Sequence, residues 1–170
     1  MAEDLTIVRG DKTERYESLI PQIRALLEGE TDWIANLANV AAALKEQFGW
    51  LWVGFYLVKK DPFTAKEQLV VGPFQGPVAC TRIQRGQGVC GACWEKAATL
   101  IVPDVEAFPG HIACSSLSRS EIVVPVFNKE GVIGVLDIDS EHADFFDEKD
   151  RQYLEEIAAL LNISSIHLAQ

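Results

Sequence analysis

The sequence predicts an α+β domain in which a central, mainly antiparallel sheet carries helices from both ends of the chain on one face and loops on the other. Three observations lead there. Apolar residues recur at three- and four-residue steps near both ends of the chain. Short runs rich in β-branched and aromatic residues fill the middle, and turn sequences separate them.

The chain's 170 residues fit one domain spanning 1–170, since single cores commonly take about 100–200 residues. No apolar run approaches the roughly 18 residues of a spanning helix. The first residues, MAEDLTIVRGDKTERYE, are charged and lack an apolar stretch, so a cytoplasmic location is expected. A net charge of −10 argues against nucleic acid and anionic membranes as partners, because both select basic surfaces.

The helical segment is predicted over residues 12–48. Tyr16, Leu19, Ile20, Ile23, Leu26 and Leu27 set the first stripe, with Pro21 as a possible bend. The second helix runs from a cap at Thr31 to Phe48, with Gly49 as its stop. Sheet and loops follow over about 50–140. LWVGFYLV at 51–58 reads as a central strand, and its Gly54 marks a bulge or a close backbone approach. Period two puts Trp52, Gly54 and Tyr56 on one face, where core packing is the ordinary role for the two aromatics. Strands are expected at QLVVGPF and near Ala79–Ile83, then a short helix at CGACWEKAA and a strand at Leu100–Val102. The long loop from Asp104 to Ser120 exceeds ordinary connections, which favours function. EIVVPVF and VIGVLDID form a hairpin through NKEG. A closing helix over about 147–168 buries Tyr153, Leu154, Ile157, Leu160, Leu161 and Ile166.

All four cysteines, at 80, 90, 93 and 114, fall in one stretch. A reducing compartment leaves three readings for them: metal ligation, packing or redox chemistry. Cys90, Cys93, His111 and Cys114 have the ligand types of a tetrahedral zinc site, but the first pair lies in a helical pattern and Cys80 is left over. Packing suits Cys93, beside Trp94 on an amphipathic turn. Cys114 sits in a polar, serine-rich loop that suits a nucleophilic thiolate, with Cys80 or Cys90 to resolve its oxidised form. Asp137 and Asp139 interrupt an apolar strand and share one face. If the hairpin register brings Glu121 to that face, three carboxyl groups converge and at least one is held protonated. A bulge or a one-residue change in the turn is expected to send Glu121 to the opposite face.

WVGFY at 52–56, GPFQGPVACTRI, GQGVCG, IVPDVEAFPGHIAC, SRSEIVVPV and GVLDIDS together resemble the GAF-domain free methionine-(R)-sulfoxide reductases over about residues 30–165. The resemblance implies a GAF-like fold with ligand-binding loops on one face of the sheet. It implies a thioredoxin-dependent reductase of free methionine-R-sulfoxide, in a homodimer, with no metal or organic cofactor. Cys114 falls on the family's catalytic cysteine, Cys80 on its main resolving cysteine and Cys90 on its third, while Cys93 matches none. Glu121, Asp137 and Asp139 fall on the acidic group of the substrate pocket, and Trp52 and Tyr56 on its aromatic wall. A non-catalytic GAF module that binds a small molecule is the alternative, and a zinc-stabilised interaction domain a more remote one.

Overall fold

Asp11 starts the first helix. Its carboxylate accepts from the Glu14 amide while the Glu14 side chain accepts from the Asp11 amide, a reciprocal cap that satisfies two otherwise orphaned donors. In this computed structural model, which describes residues 4–111 and 115–161, that helix is α1, Lys12–Leu27. Cys114 and Ile166 of the sequence expectations lie outside the described residues. Pro21 does not split α1, and it sits on the exposed side of the helix. Helix α2, Trp33–Phe48, is capped by Asp32 rather than by the expected Thr31. The Asp32 carboxylate accepts from the Ala35 amide at 2.8 Å, and an anion at this end also suits the helix dipole. Gly49, at φ 69°, stops it as predicted.

Strands β1 (Trp52–Lys60), β2 (Glu67–Gln75), β3 (Arg82–Ile83), β4 (Leu100–Val102), β5 (Ser120–Asn128) and β6 (Gly131–Ser140) form one antiparallel sheet in the order β3-β2-β1-β6-β5-β4. Helix α3, Gly88–Lys96, follows β3, and α4, Glu148–Leu161, closes the described chain. The third strand is shorter than the expected Ala79–Ile83, since only Arg82 and Ile83 pair with β2. Gly54 meets both of its predicted descriptions: the register against β2 shifts beside it, and a Cβ there would lie 2.2 Å from that of Phe74.

Alternation along the strands divides the apolar residues into two cores. Val53, Phe55, Leu57, Ile122, Val124, Leu136 and Ile138 point to one side, where α1, α2 and α4 cover them with Tyr16, Leu37, Leu44, Leu154 and Ile157. Trp52, Tyr56, Val123 and Val135 point to the other, against Val89, Cys90, Cys93 and Trp94 of α3. Each large side chain so buried contributes roughly 1.5–3 kcal/mol relative to exposure. The terminal helices are also tied by polar contacts. Asp150, fully buried, accepts from the Tyr16 hydroxyl at 2.8 Å and from the Lys12 ammonium at 2.5 Å.

The β5–β6 hairpin sets the site. Next to the turn Asn128 faces Gly131 and Phe127 faces Val132, but Val126 faces Gly134, which leaves Ile133 as a one-residue bulge. Beyond it Glu121 faces Asp139 and Val123 faces Asp137. Had the turn-proximal pairing run on unbroken, Glu121 would face Ile138 and point into the helix-covered core. The expectation that a bulge would remove Glu121 from the acidic face is therefore reversed. The bulge is what puts it there.

Candidate active site

Three strands and one helix converge on the α3 side of the sheet. Trp52 is paired with Asp139 and Gly54 with Asp137 across β1–β6, and Glu121 stands opposite Asp139 on β5. Residues directly opposite in a sheet share a face, so Glu121, Asp137 and Asp139 form the predicted carboxyl group. Glu121 and Asp137 are each only 6% exposed, and Asp139 is partly buried. Cys90 enters from α3 with its Sγ 3.9 Å from Glu121 Oε1. His111, Ser115 and Ser118 of the long loop complete the wall. The cavity between them measures about 30 Å³ in the space open to water centres, room for a few water molecules.

None of the ion pairs among the described residues involves these three carboxyl groups. Burial pushes the Glu121 carboxyl well above the ordinary range, and the nearby Asp137 and Asp139 charges add to it. Asp137 is lifted in the same way, first by burial and then by Asp139. Burial raises Asp139 to about 6, against the hydrogen bond that Ser118 donates to it. The Cys90 thiol is pushed up by burial and then by the Asp137 and Glu121 charges, which holds it protonated. The site is thus an acid store at neutral pH.

This store has a sign in stability. A carboxyl whose folded pKa exceeds its unfolded value binds more protons in the native state, so stability present at low pH is lost as pH rises through the folded value. For Asp139 the window runs from about 4, the unfolded value, to about 6. Urea midpoints of the wild type are expected to fall across that window and, through Glu121 and Asp137, to keep falling above it. Asp139→Asn is expected to make the decline between pH ~4 and ~6 shallower without removing it, since Glu121 and Asp137 also hold native-state protons across that window. A wild-type midpoint that rises there would contradict the acidic-cluster assignment.

Trp52 and Tyr56 lie on the same face, with ring centroids 5.9 Å apart, but neither lines the carboxyl cavity. They hold the segment after β2. The Trp52 Nε1–H donates to the Pro77 carbonyl at 3.1 Å, and the Tyr56 hydroxyl donates to the Cys80 carbonyl at 3.0 Å. Cys80 is partly exposed at that loop. Cys93 is fully buried, and its thiol donates to the Val123 carbonyl at 3.5 Å. It stands outside the group formed by Cys90, Glu121 and Asp137, so the zinc set with His111 does not assemble among the described residues. Ser118 is the contact that sequence reading missed. Its signal was only the abundance of serine in the Asp104–Ser120 loop, and nothing there singles it out.

A GAF-domain model matches residues 32–164. The structure of a free methionine-R-sulfoxide reductase from Neisseria meningitidis, in complex with its substrate, is 56% identical and superposes with a TM-score of 0.90, covering 95% of this chain and 94% of that one. GAF domain-containing protein A of Dictyostelium discoideum is 60% identical over 162 residues, 95% of this chain and 99% of its own length. The free methionine-R-sulfoxide reductase of Escherichia coli is 45% identical over 152 residues, 89% of this chain and 88% of its own length. Likeness at this level over nearly whole chains, in sequence and in fold, leaves one assignment: the chain belongs to the GAF-domain free methionine-(R)-sulfoxide reductase family.

Proposed function

We propose that this protein reduces free L-methionine-(R)-sulfoxide to L-methionine by thiol chemistry. The observation that carries the reading is the convergence of Glu121, Asp137 and Asp139 on one face beside Cys90, in a cavity that His111, Ser115 and Ser118 also line. The Cys114 thiolate attacks the sulfoxide sulfur while a carboxylic acid of the cluster protonates the sulfoxide oxygen. Oxygen passes to Cys114 as a sulfenic acid, and the sulfur of the substrate leaves reduced as methionine. The thiol of Cys80, or that of Cys90, displaces water from the sulfenic acid and forms a disulfide. Thioredoxin's dithiol then reduces that disulfide and is itself oxidised. Sulfur carries both electrons, so the cycle calls for no metal or organic cofactor.

The carboxyl groups divide this work by charge. A protonated Glu121 or Asp137 donates, and an ionised neighbour holds the substrate's ammonium group. The substrate's carboxylate is taken by the start of α3, where Gln87 offers no side-chain cap and Gly88 and Val89 line the cavity. Trp52 and Tyr56, on the same face of the sheet but outside the carboxyl cavity, wall the part of the substrate that extends beyond it. The protein works in the cytoplasm as a homodimer.

A coupled assay of NADPH, thioredoxin reductase and thioredoxin tests the reading directly. NADPH is expected to be consumed with the free R sulfoxide, and not with the S epimer or with peptide-bound methionine sulfoxide. Tight binding of the R sulfoxide without consumption would make the protein a non-catalytic small-molecule-binding module instead.

A further inference from the structure

Three buried groups of the site form a second kind of pocket. The Cys90 sulfur and one carboxylate oxygen each from Glu121 and Asp137 all lie within 4.8 Å of one another. Zinc holds sulfur at about 2.3 Å and carboxylate oxygen at about 2.0–2.2 Å, so a small inward shift brings all three onto one ion. The Asp137 Oδ1 atom is buried without a hydrogen-bond partner, in a residue only 6% exposed. The carboxyl has Glu121 and Cys90 beside it, but a buried oxygen atom left without a partner of its own is costly, and an ion at this point supplies what it lacks. His111 lines the same cavity with its Nδ1 likewise unpartnered. The ligands also come from regular elements, α3, β5 and β6, rather than from loose loops.

The geometry points to a divalent-cation site of the zinc class at Cys90, Glu121 and Asp137, whose occupation blocks reduction of the sulfoxide. A thiolate with two carboxylates suits zinc, whereas magnesium and calcium prefer oxygen alone. Binding exchanges protons for the metal: the Cys90 thiol and each protonated carboxyl of Glu121 and Asp137 release H⁺, one sulfur–metal and two oxygen–metal bonds form, and no electron moves. The fourth position is left to water. The blocking effect rests on the functional reading above, because the ion occupies a resolving thiol and the acids that donate to and hold the substrate. The site itself does not.

Fully reduced, chelator-stripped protein titrated with Zn²⁺ against a chromogenic chelator is expected to bind one ion per chain. Cys90→Ser and Asp137→Asn are each expected to weaken binding by at least about tenfold, while Cys93→Ser keeps wild-type affinity. Co²⁺ in place of zinc should give a sulfur-to-metal charge-transfer band in the wild type and in Cys93→Ser that is lost in Cys90→Ser. Circular dichroism confirms that each variant is folded. Absence of zinc binding, or wild-type affinity in Cys90→Ser, overturns the site. Zinc bound through these ligands without slowing turnover overturns the block alone, and a metal-free protein with no reductase activity indicts the functional reading instead.

Discussion

Cys114→Ser is expected to abolish reduction of free methionine-R-sulfoxide, lowering turnover by roughly 10⁴-fold or more, as loss of a covalent nucleophile does elsewhere. A hydroxyl cannot replace the thiol, because it is scarcely ionised near neutral pH and has no accessible counterpart to a sulfenic acid. His111 and Ser115, the nearest described residues on either side of Cys114, both line the cavity that holds the carboxyl groups. Cys80→Ser is expected to behave differently, releasing roughly one methionine per chain and then stalling with Cys114 oxidised. Quenched single-turnover assays with mass spectrometry of the thiols distinguish the two. Sustained turnover by Cys114→Ser would end the proposed mechanism, and sustained turnover by Cys80→Ser would make Cys90 the resolving residue.

Gly91→Ala is expected to cost about 3 kcal/mol or more and to lower activity further than the loss of folded protein explains. A methyl group at this position would stand 2.3 Å from the Gln84 carbonyl oxygen and 3.2 Å from the Gly86 nitrogen, both backbone atoms with little room to yield. The turn before α3 is fastened to this residue. The Gly86 amide donates to the Gly91 carbonyl at 2.9 Å, and the Gly91 amide donates to the Gln87 carbonyl at 3.0 Å. Relief of the clash must move α3 away from the turn, and Cys90 moves with it. Thermal denaturation gives the stability loss, and activity measured per folded molecule gives the second effect. A wild-type melting temperature would show that the turn is not held as described.

The sequence makes some parts of this molecule plain and hides others for physical reasons. Asp137 and Asp139 stand out because charge breaks an apolar strand, and alternation alone places them together. Glu121 is different. Its face depends on the parity of the hairpin, and NKEG carries no mark of the bulge at Ile133 that sets it. Thr31 and Asp32 are both good caps, so the choice between them falls below what composition resolves. The packing of Cys93 is legible from its helical spacing beside Trp94, whereas the hold of Trp52 and Tyr56 on the 77–80 loop is not. Those two bonds end on backbone carbonyls, and every residue has one.

The two apolar cores share no residue, since each strand deals alternate side chains to opposite sides of the sheet. Such a partition separates durability from chemistry. Substitutions among Leu19, Leu37 and Ile157 can harden the molecule against heat while the reactive side keeps its composition, and the face around Asp137 can be refitted for a different small amino acid without redesigning the scaffold beneath it.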